Sequence, residues 1–262
     1  MKNQCINVLI IHKANADYTF DNIISSGSGS FKKESGFSAS VRRMQTKLKR
    51  LGYNCGTADG YFGSNTETQV KAFQTAYKLT PDGHAGAKTL SKLDQLSPDS
   101  TTEKYGRELT HDQLTSGYSS SSMSATEALA RCIFGEDTTY SDGQAAVAKE
   151  IYNRKNSSRA FDTLSGSTKT WKGVVFSKNQ YAVMTGSGTG NSRKPNQYSS
   201  EWANCVSLAE TLVKGNKPSS TLANQCYHLS SGSSYPSSSV ASTRVQIPAS
   251  KGNKFFDYQT TL

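Results

Sequence analysis

The feature that most constrains this chain is a loop written twice. "ADGYFG" (Ala58 to Gly63) and "PDGHAG" (Pro81 to Gly86) share the spacing Asp-Gly-x-x-Gly, and each stands directly before a helix-like pattern. Asp favours sharp turns because its side chain accepts from nearby backbone N–H groups, and Gly because it tolerates positive φ. The sequence around them predicts three helices. Val41, Met44, Leu48 and Leu51 share one face of a first helix that stops at Gly52. "SNTE" (Ser64 to Glu67) fits a capping box, and Val70, Phe73 and Tyr77 continue a second helix from it. "GAKTLSKL" (Gly86 to Leu93) makes a short third one. A block this small has no room for a deep cleft, so its expected work is binding.

At 262 residues the chain is long enough for two compact units and a linker. Its 13 Tyr and 10 Phe exclude a wholly disordered chain. The apolar run "INVLII" (Ile6 to Ile11) is too short for a signal-peptide core or a membrane span, so neither export by a signal nor membrane insertion is expected. Five scattered cysteines without a Cys-x-x-Cys pair fit a reducing compartment rather than a disulfide framework or a zinc ribbon. The net charge of +10 attracts anions: nucleic acid, lipid, or a bacterial wall with phosphate-bearing polymers. The densest basic cluster, "RRMQTKLKR" (Arg42 to Arg50), reads as an amphipathic helix with a solvated basic face. No basic motif interleaved with aromatics and no recognition helix accompanies it, so nucleic acid is not an expected partner.

Texture divides the chain into an N-terminal strand and Gly/Ser linker at 1–37, the three-helix block at 38–96, a Ser/Thr/Gly-rich linker at 97–122 and a second block at 123–262. In that second block "SATE" (Ser124 to Glu127) opens a helix whose buried stripe is Ala128, Leu129, Cys132 and Ile133 and whose end is Gly135. Glu136 then falls just past a helix C-terminus, where the negative end of the macrodipole disfavours an ionised carboxylate, a condition suited to a general acid. "SDGQ" (Ser141 to Gln144) caps the next helix, with Val147, Ala148, Ile151 and Tyr152 inward. The intervening loop carries Glu136, Asp137 and Asp142, and the two aspartates fit turn and N-cap roles as well as chemical ones. Further on, "SEWANCVSLAETLVKG" (Ser200 to Gly215) is an amphipathic helix with Cys205, Leu208, Ala209 and Leu212 inward. The four histidines form no His-x-His or His-x-x-x-His pair, so no metal or other cofactor is expected. A Cys-His peptidase is disfavoured because Cys132 lies on the buried stripe, where a thiol is inert.

"VRRMQTKLKRLGY", "ADGYFGSNTETQVKAFQTAYKL" and "PDGHAGAKTLSKL" in that order resemble the peptidoglycan-binding-like three-helix module of cell-wall hydrolases. That resemblance implies bacterial peptidoglycan as partner. "ALARCIFGE", "DGQAAVAKEIYNR", "WKGVVFSKNQYAVM" and "KGNKFFDY" together resemble the catalytic domain of spore cortex-lytic enzymes of the SleB type, over Ala125 to Tyr258. The resemblance implies Glu136 as catalytic acid and Gln180 and Tyr181 as candidate substrate contacts, to which the loop between the two helices adds Asp142. It implies an α+β fold: a small three-helix wall-binding module plus a mostly helical, lysozyme-like catalytic domain with a small antiparallel sheet. Family members carry a further Glu in the loop after the catalytic one, where this chain has "DTTYSD". A single Glu suits a lytic transglycosylase cutting between N-acetylmuramic acid and N-acetylglucosamine. A muramidase would need a second carboxylate about 5 to 9.5 Å away, which Asp137 or Asp142 could supply. A wall-binding protein without activity is the remaining alternative. The expected setting is a phage endolysin, a monomer made in the host cytoplasm that acts on the wall.

Overall fold

The structure, a computed structural model, describes residues 18–34, 36–157, 170–177, 181–185 and 190–220, together with the backbone of strands at 227–229, 241–246 and 254–258. It divides into two compact units, Met1–Thr101 and Thr102–Leu262.

The first unit contains helix α1 (Phe20–Ser26), strand β1 (Ser30–Phe31), helices α2 (Ala39–Arg50) and α3 (Ser64–Ala76), strand β2 (Ala85–Gly86) and helix α4 (Ala87–Leu96). The apolar stripes read from the sequence meet in one core: Val41, Met44, Leu48, Phe62, Val70, Phe73, Leu90 and Leu93 are all buried. Phe20 and Ile23 of α1 join them. Phe20, Ile23 and Phe31 therefore belong to this unit's core, in a stretch that the sequence reading took for a strand and linker. The Thr19 hydroxyl caps α1 by accepting from the Asn22 N–H, and Asp21 sits in its first turn. That cap signal was hidden by the Ser/Gly run that follows it. β1 then pairs antiparallel with β2, Ser30 opposite Gly86 and Phe31 opposite Ala85.

Two further expectations about this unit are corrected. The basic face of α2 is only partly solvated, because Arg43 and Lys47 are buried among acids. Lys47 Nζ lies 2.7 Å from Asp99 Oδ1 and donates to the Ser97 carbonyl at 2.6 Å, while Arg43 reaches Asp99 at 2.6 Å and Asp21 at 2.9 Å. Helix α3 starts one residue earlier than the capping-box reading requires. Gly63 is its N-cap and Ser64 lies inside the helix, since the Glu67 side chain is drawn to Lys71 (2.7 Å) and Thr66 to a buried glutamine.

The second unit contains α5 (Thr101–Tyr105, entering from the boundary), α6 (His111–Thr115), a 3-10 turn (Ser116–Tyr118), α7 (Ala125–Glu136), α8 (Ser141–Asn156), α9 (Trp171–Val175), α10 (Ala182–Thr185), α11 (Gly190–Arg193) and α12 (Ser200–Val213). Strands β3 (Tyr227–Leu229), β4 (Ala241–Gln246) and β5 (Lys254–Tyr258) form an antiparallel sheet of order β3-β5-β4. α7 is the central helix, buried from Glu127 to Phe134 and packed by α8 to α12. Residues 97–122 carry more structure than their composition announces. Thr110 and Gln113 form a reciprocal capping box on α6, Leu109 and Leu114 are buried in the second core, and the Trp202 indole N–H donates to the Thr102 carbonyl at 2.9 Å. Among the described residues no helix is long and apolar enough to cross a membrane.

Candidate functional site

Helix α7 ends at Glu136 itself, and Asp137 is its C-cap. Gly135, expected as the terminator, lies in the last turn for a different reason. A Cβ there would come within 2.8 Å of Val183 Cβ and would overlap the Ser192 hydroxyl, so glycine is what lets α10 and α11 approach the helix. The same helix is anchored from within by Arg131, which is fully buried. Its guanidinium donates to Glu127 Oε1 (3.0 Å), to the Ser192 carbonyl (2.7 Å) and to the Arg107 carbonyl (2.8 Å). Burial pushes its pKa down to about 10 against the attraction of Glu127. These contacts fix the helix that presents Glu136, a partly exposed residue at its end.

Behind Glu136 stands a buried wall made by α7, α8 and the start of α10. On α8, Arg154 pairs with Glu150 one turn earlier at 2.6 Å, both buried, and its guanidinium lies 4.7 Å from the Tyr181 ring centroid. Burial, with smaller contributions from Glu136 and Glu150, holds the Cys132 thiol well above its ordinary pKa. Burial likewise holds the Tyr181 phenol well above its own; Arg154 opposes this, and Glu150, Cys132 and Glu136 add to it. Both groups therefore stay neutral at physiological pH. Tyr181 has no exposed surface, which corrects its expected role: its ring packs beneath Arg154 and is closed to a substrate. Gln180 lies outside the described residues. Glu150 and Arg154 were missed by the sequence reading, although Glu-x-x-x-Arg on an otherwise apolar helix face was a usable signal.

The aspartates separate in role. Asp142 is exposed in the first turn of α8, where the helix dipole favours a carboxylate, and its Oδ1 accepts from the Gly143 N–H at 2.8 Å. Asp137 is buried. Its Oδ1 accepts from the N–H groups of Thr139 (3.0 Å) and Tyr140 (2.8 Å), while its carbonyl accepts from Gln144, which in turn accepts from Asn204. Oδ2 is buried and has no hydrogen-bond partner among the described residues. Burial pushes the Asp137 carboxyl pKa up; the two N–H donors oppose this and Asp142 adds to it. Because Asp137 organises this loop, α8 begins at Ser141 with Tyr140 as N-cap and no side-chain cap, one residue away from the "SDGQ" expectation.

In the first unit the two Asp-Gly loops are organised by a pair of buried glutamines that the sequence reading did not single out. Gln45 Nε2 donates to Asp59 Oδ1 (3.1 Å), the Tyr61 carbonyl (3.0 Å) and Thr66 Oγ1 (3.1 Å), and Gln45 Oε1 accepts from the Gly60 N–H (2.8 Å). Gln74 repeats each contact: Asp82 Oδ1 (3.0 Å), the His84 carbonyl (2.9 Å), Thr89 Oγ1 (3.1 Å) and the Gly83 N–H (2.9 Å). Gly60 and Gly83 have φ of 85° and 80°, the left-handed region that favours glycine. The repeated Asp-Gly-x-x-Gly is thus the visible half of a repeated Gln···Asp-Gly-x-x-Gly-x-x-Thr device.

Residues 38–93 match the family model described as "Putative peptidoglycan binding domain". The spore cortex-lytic enzyme of Oceanobacillus iheyensis is 32% identical over 160 residues, covering 48% of this chain and 58% of the relative. That of Bacillus cereus is 31% identical over 145 residues, covering 48% and 55%. The N-acetylmuramoyl-L-alanine amidase CwlM of Mycobacterium tuberculosis is 39% identical over 57 residues, 22% of this chain and 14% of the relative. The chain spans little more than half the length of the cortex-lytic relatives. It is similar to bacterial cell-wall lytic enzymes and carries a stretch matching a peptidoglycan-binding domain.

Proposed function

We propose that this chain degrades bacterial peptidoglycan, cutting the bond between N-acetylmuramic acid and N-acetylglucosamine with Glu136 as both acid and base. The observation that carries the reading is the position of Glu136: a partly exposed carboxyl at the end of a helix anchored by buried contacts, at the edge of a buried wall. Similarity to cortex-lytic enzymes supports the substrate class. Protonated Glu136 gives its proton to the bridging oxygen as that bond breaks. The resulting carboxylate then takes the proton of the muramic C6 hydroxyl as that oxygen closes on C1, leaving a 1,6-anhydro end and restoring the acid. No cofactor and no second carboxylate enter this sequence. The unit that carries Glu136 acts as a lysozyme-like domain, and the 38–93 module holds the monomeric chain on the wall.

Hydrolysis with a second acid is the other reading, favoured by the buried, unpartnered Oδ2 of Asp137. Asp137 is nevertheless 7% exposed and committed through Oδ1 to its own loop, which gives a nucleophilic water little access. Glu136→Gln tests the assignment. Clearing of purified wall suspensions is expected to fall by about a thousandfold or more, in the range for a lost general acid and base, while retention on insoluble peptidoglycan persists. Clearing that survives the substitution removes Glu136 from the chemistry.

A further inference from the structure

The two Asp-Gly loops share one hydrogen-bond plan, yet their surroundings differ. The first is covered by the chain itself. The Phe37 ring lies over Gly60, where a Cβ would meet it at 2.6 Å, and the Ser38 N–H donates to the Gly60 carbonyl at 2.9 Å. Only about 110 Å³ of open space remains beside that segment. The second loop instead borders an open cleft of about 410 Å³, within the range of small-ligand sites. Lys78 and Lys88 line it, both exposed and in no ion pair among the described residues. Asp82, the one carboxylate in the lining, is occupied by the His84 N–H and by Gln74. Helix α4 starts in the same lining, with Gly86 as its N-cap and no side-chain cap hydrogen bond.

Lys78 carries a second mark. It is the one non-glycine among the described residues with positive φ, 56°. It ends α3 with the Leu79 N–H donating to the Gln74 carbonyl at 2.8 Å. Helix α2 ends the same way, Tyr53 N–H to Leu48 carbonyl at 2.9 Å, and α12 with Asn216 N–H to Thr211 carbonyl at 3.0 Å. In those two helices the corresponding residue is Gly52 (φ 90°) and Gly215 (φ 78°). A lysine thus occupies a backbone position where glycine is intrinsically better, at the point where its side chain borders the cleft. A strained residue at a cleft is the pattern expected where binding is retained at the expense of stability.

We propose that this cleft binds an oxyanion carried by the wall, a stem-peptide carboxylate or the phosphate of a wall polymer, with Lys78 and Lys88 as its cationic contacts and the first turn of α4 as its floor. The proposal rests on the reading that the 38–93 module attaches to the wall. The test titrates the full chain calorimetrically with a stem tetrapeptide bearing free carboxylates, with the same peptide fully amidated, and with glycerol phosphate. Wild type and Lys78→Gly are compared, and both are also tested for retention on insoluble peptidoglycan. The expected result is binding of the free peptide or of glycerol phosphate, whichever source is used, none of the amidated peptide, and at least a tenfold loss in Lys78→Gly. Its melting temperature should rise by about 3 °C as the left-handed strain is relieved, so the loss is not one of folding. Equal binding by the two proteins overturns the proposal, as does wall retention of the wild type with no binding of either anion. A wild type that is not retained on the wall overturns the underlying reading as well.

Discussion

Replacing Arg131 with Met would measure how firmly the helix presenting Glu136 is held. The Arg131 side chain is fully buried and makes three strong donor contacts, to Glu127, to the Ser192 carbonyl and to the Arg107 carbonyl. Met keeps much of the stem volume and removes every donor. The Glu127 carboxylate, 2% exposed, then keeps Arg107, at 3.1 Å and itself 28% exposed, as its ion-pair partner among the described residues. Removing one partner of a buried ion pair costs about 3–5 kcal/mol, most of it the penalty of the stranded charge. The two orphaned carbonyls keep the figure from falling to the bottom of that range, so about 4 kcal/mol is expected. With a urea slope of about 2 kcal/mol/M, the midpoint falls by about 2 M. Tryptophan fluorescence is the assay, because Trp171 and Trp202 both lie in Thr102–Leu262. Adding Glu127→Gln to the variant removes the stranded charge and should recover about half of the loss. Arg131 titrates at about 10 when folded, so it is protonated in both states near neutrality and the loss should not vary between pH 6 and 8. A single variant within about 1 kcal/mol of wild type, or a double variant no more stable than the single, would refute the claim that Arg131 compensates a buried charge.

Gln45→Leu should destabilise the first unit by about 2–4 kcal/mol, since it strands the buried Gly60 N–H together with the Tyr61 carbonyl and Thr66 hydroxyl. Hydrogen exchange at the Gly60 amide reads this directly, and unchanged protection would deny Gln45 its organising role. For Asp137, a folded pKa raised above the ordinary 3.8 means that the fold binds the proton more tightly than the unfolded chain. Its contribution is therefore fully present below that value and is lost as pH rises through the raised pKa. Asp137→Asn should thus gain stability relative to wild type as pH rises above the ordinary 3.8, followed by thermal melts, and should still release glycan fragments; a variant that folds but is inert would favour the hydrolytic reading.

The apolar skeleton was legible because it obeys helical spacing: Val70 and Phe73, Leu129 and Ile133, Cys205 and Ala209 are buried where the period places them. Misread positions share a cause, polar groups whose partners lie far along the chain. Arg43 and Lys47 look solvated until Asp99 is brought to them. Gln45 and Gln74 look like ordinary helix residues until the loops fold back, and only the Asp-Gly half of the device shows in the sequence. Helix starts shifted by a residue for a related reason, since Glu67 and Gln144, expected to reach back to the caps, bind Lys71 and the Asp137 carbonyl instead. At the candidate site, the resemblance singled out Glu136, while the ion pair behind it and the burial of Tyr181 depend on how α8 and α10 meet α7. An aromatic beside a site reads the same in sequence whether it faces substrate or core.

The central claim is that one carboxyl, Glu136, cuts the glycan without help from a second acid. The most direct measurement is mass spectrometry of the soluble fragments released from purified peptidoglycan by wild type and by Glu136→Gln. The account predicts 1,6-anhydromuramyl ends with wild type and none with the variant. Reducing muramic ends from the wild type, or unchanged fragment release by Glu136→Gln, would contradict it.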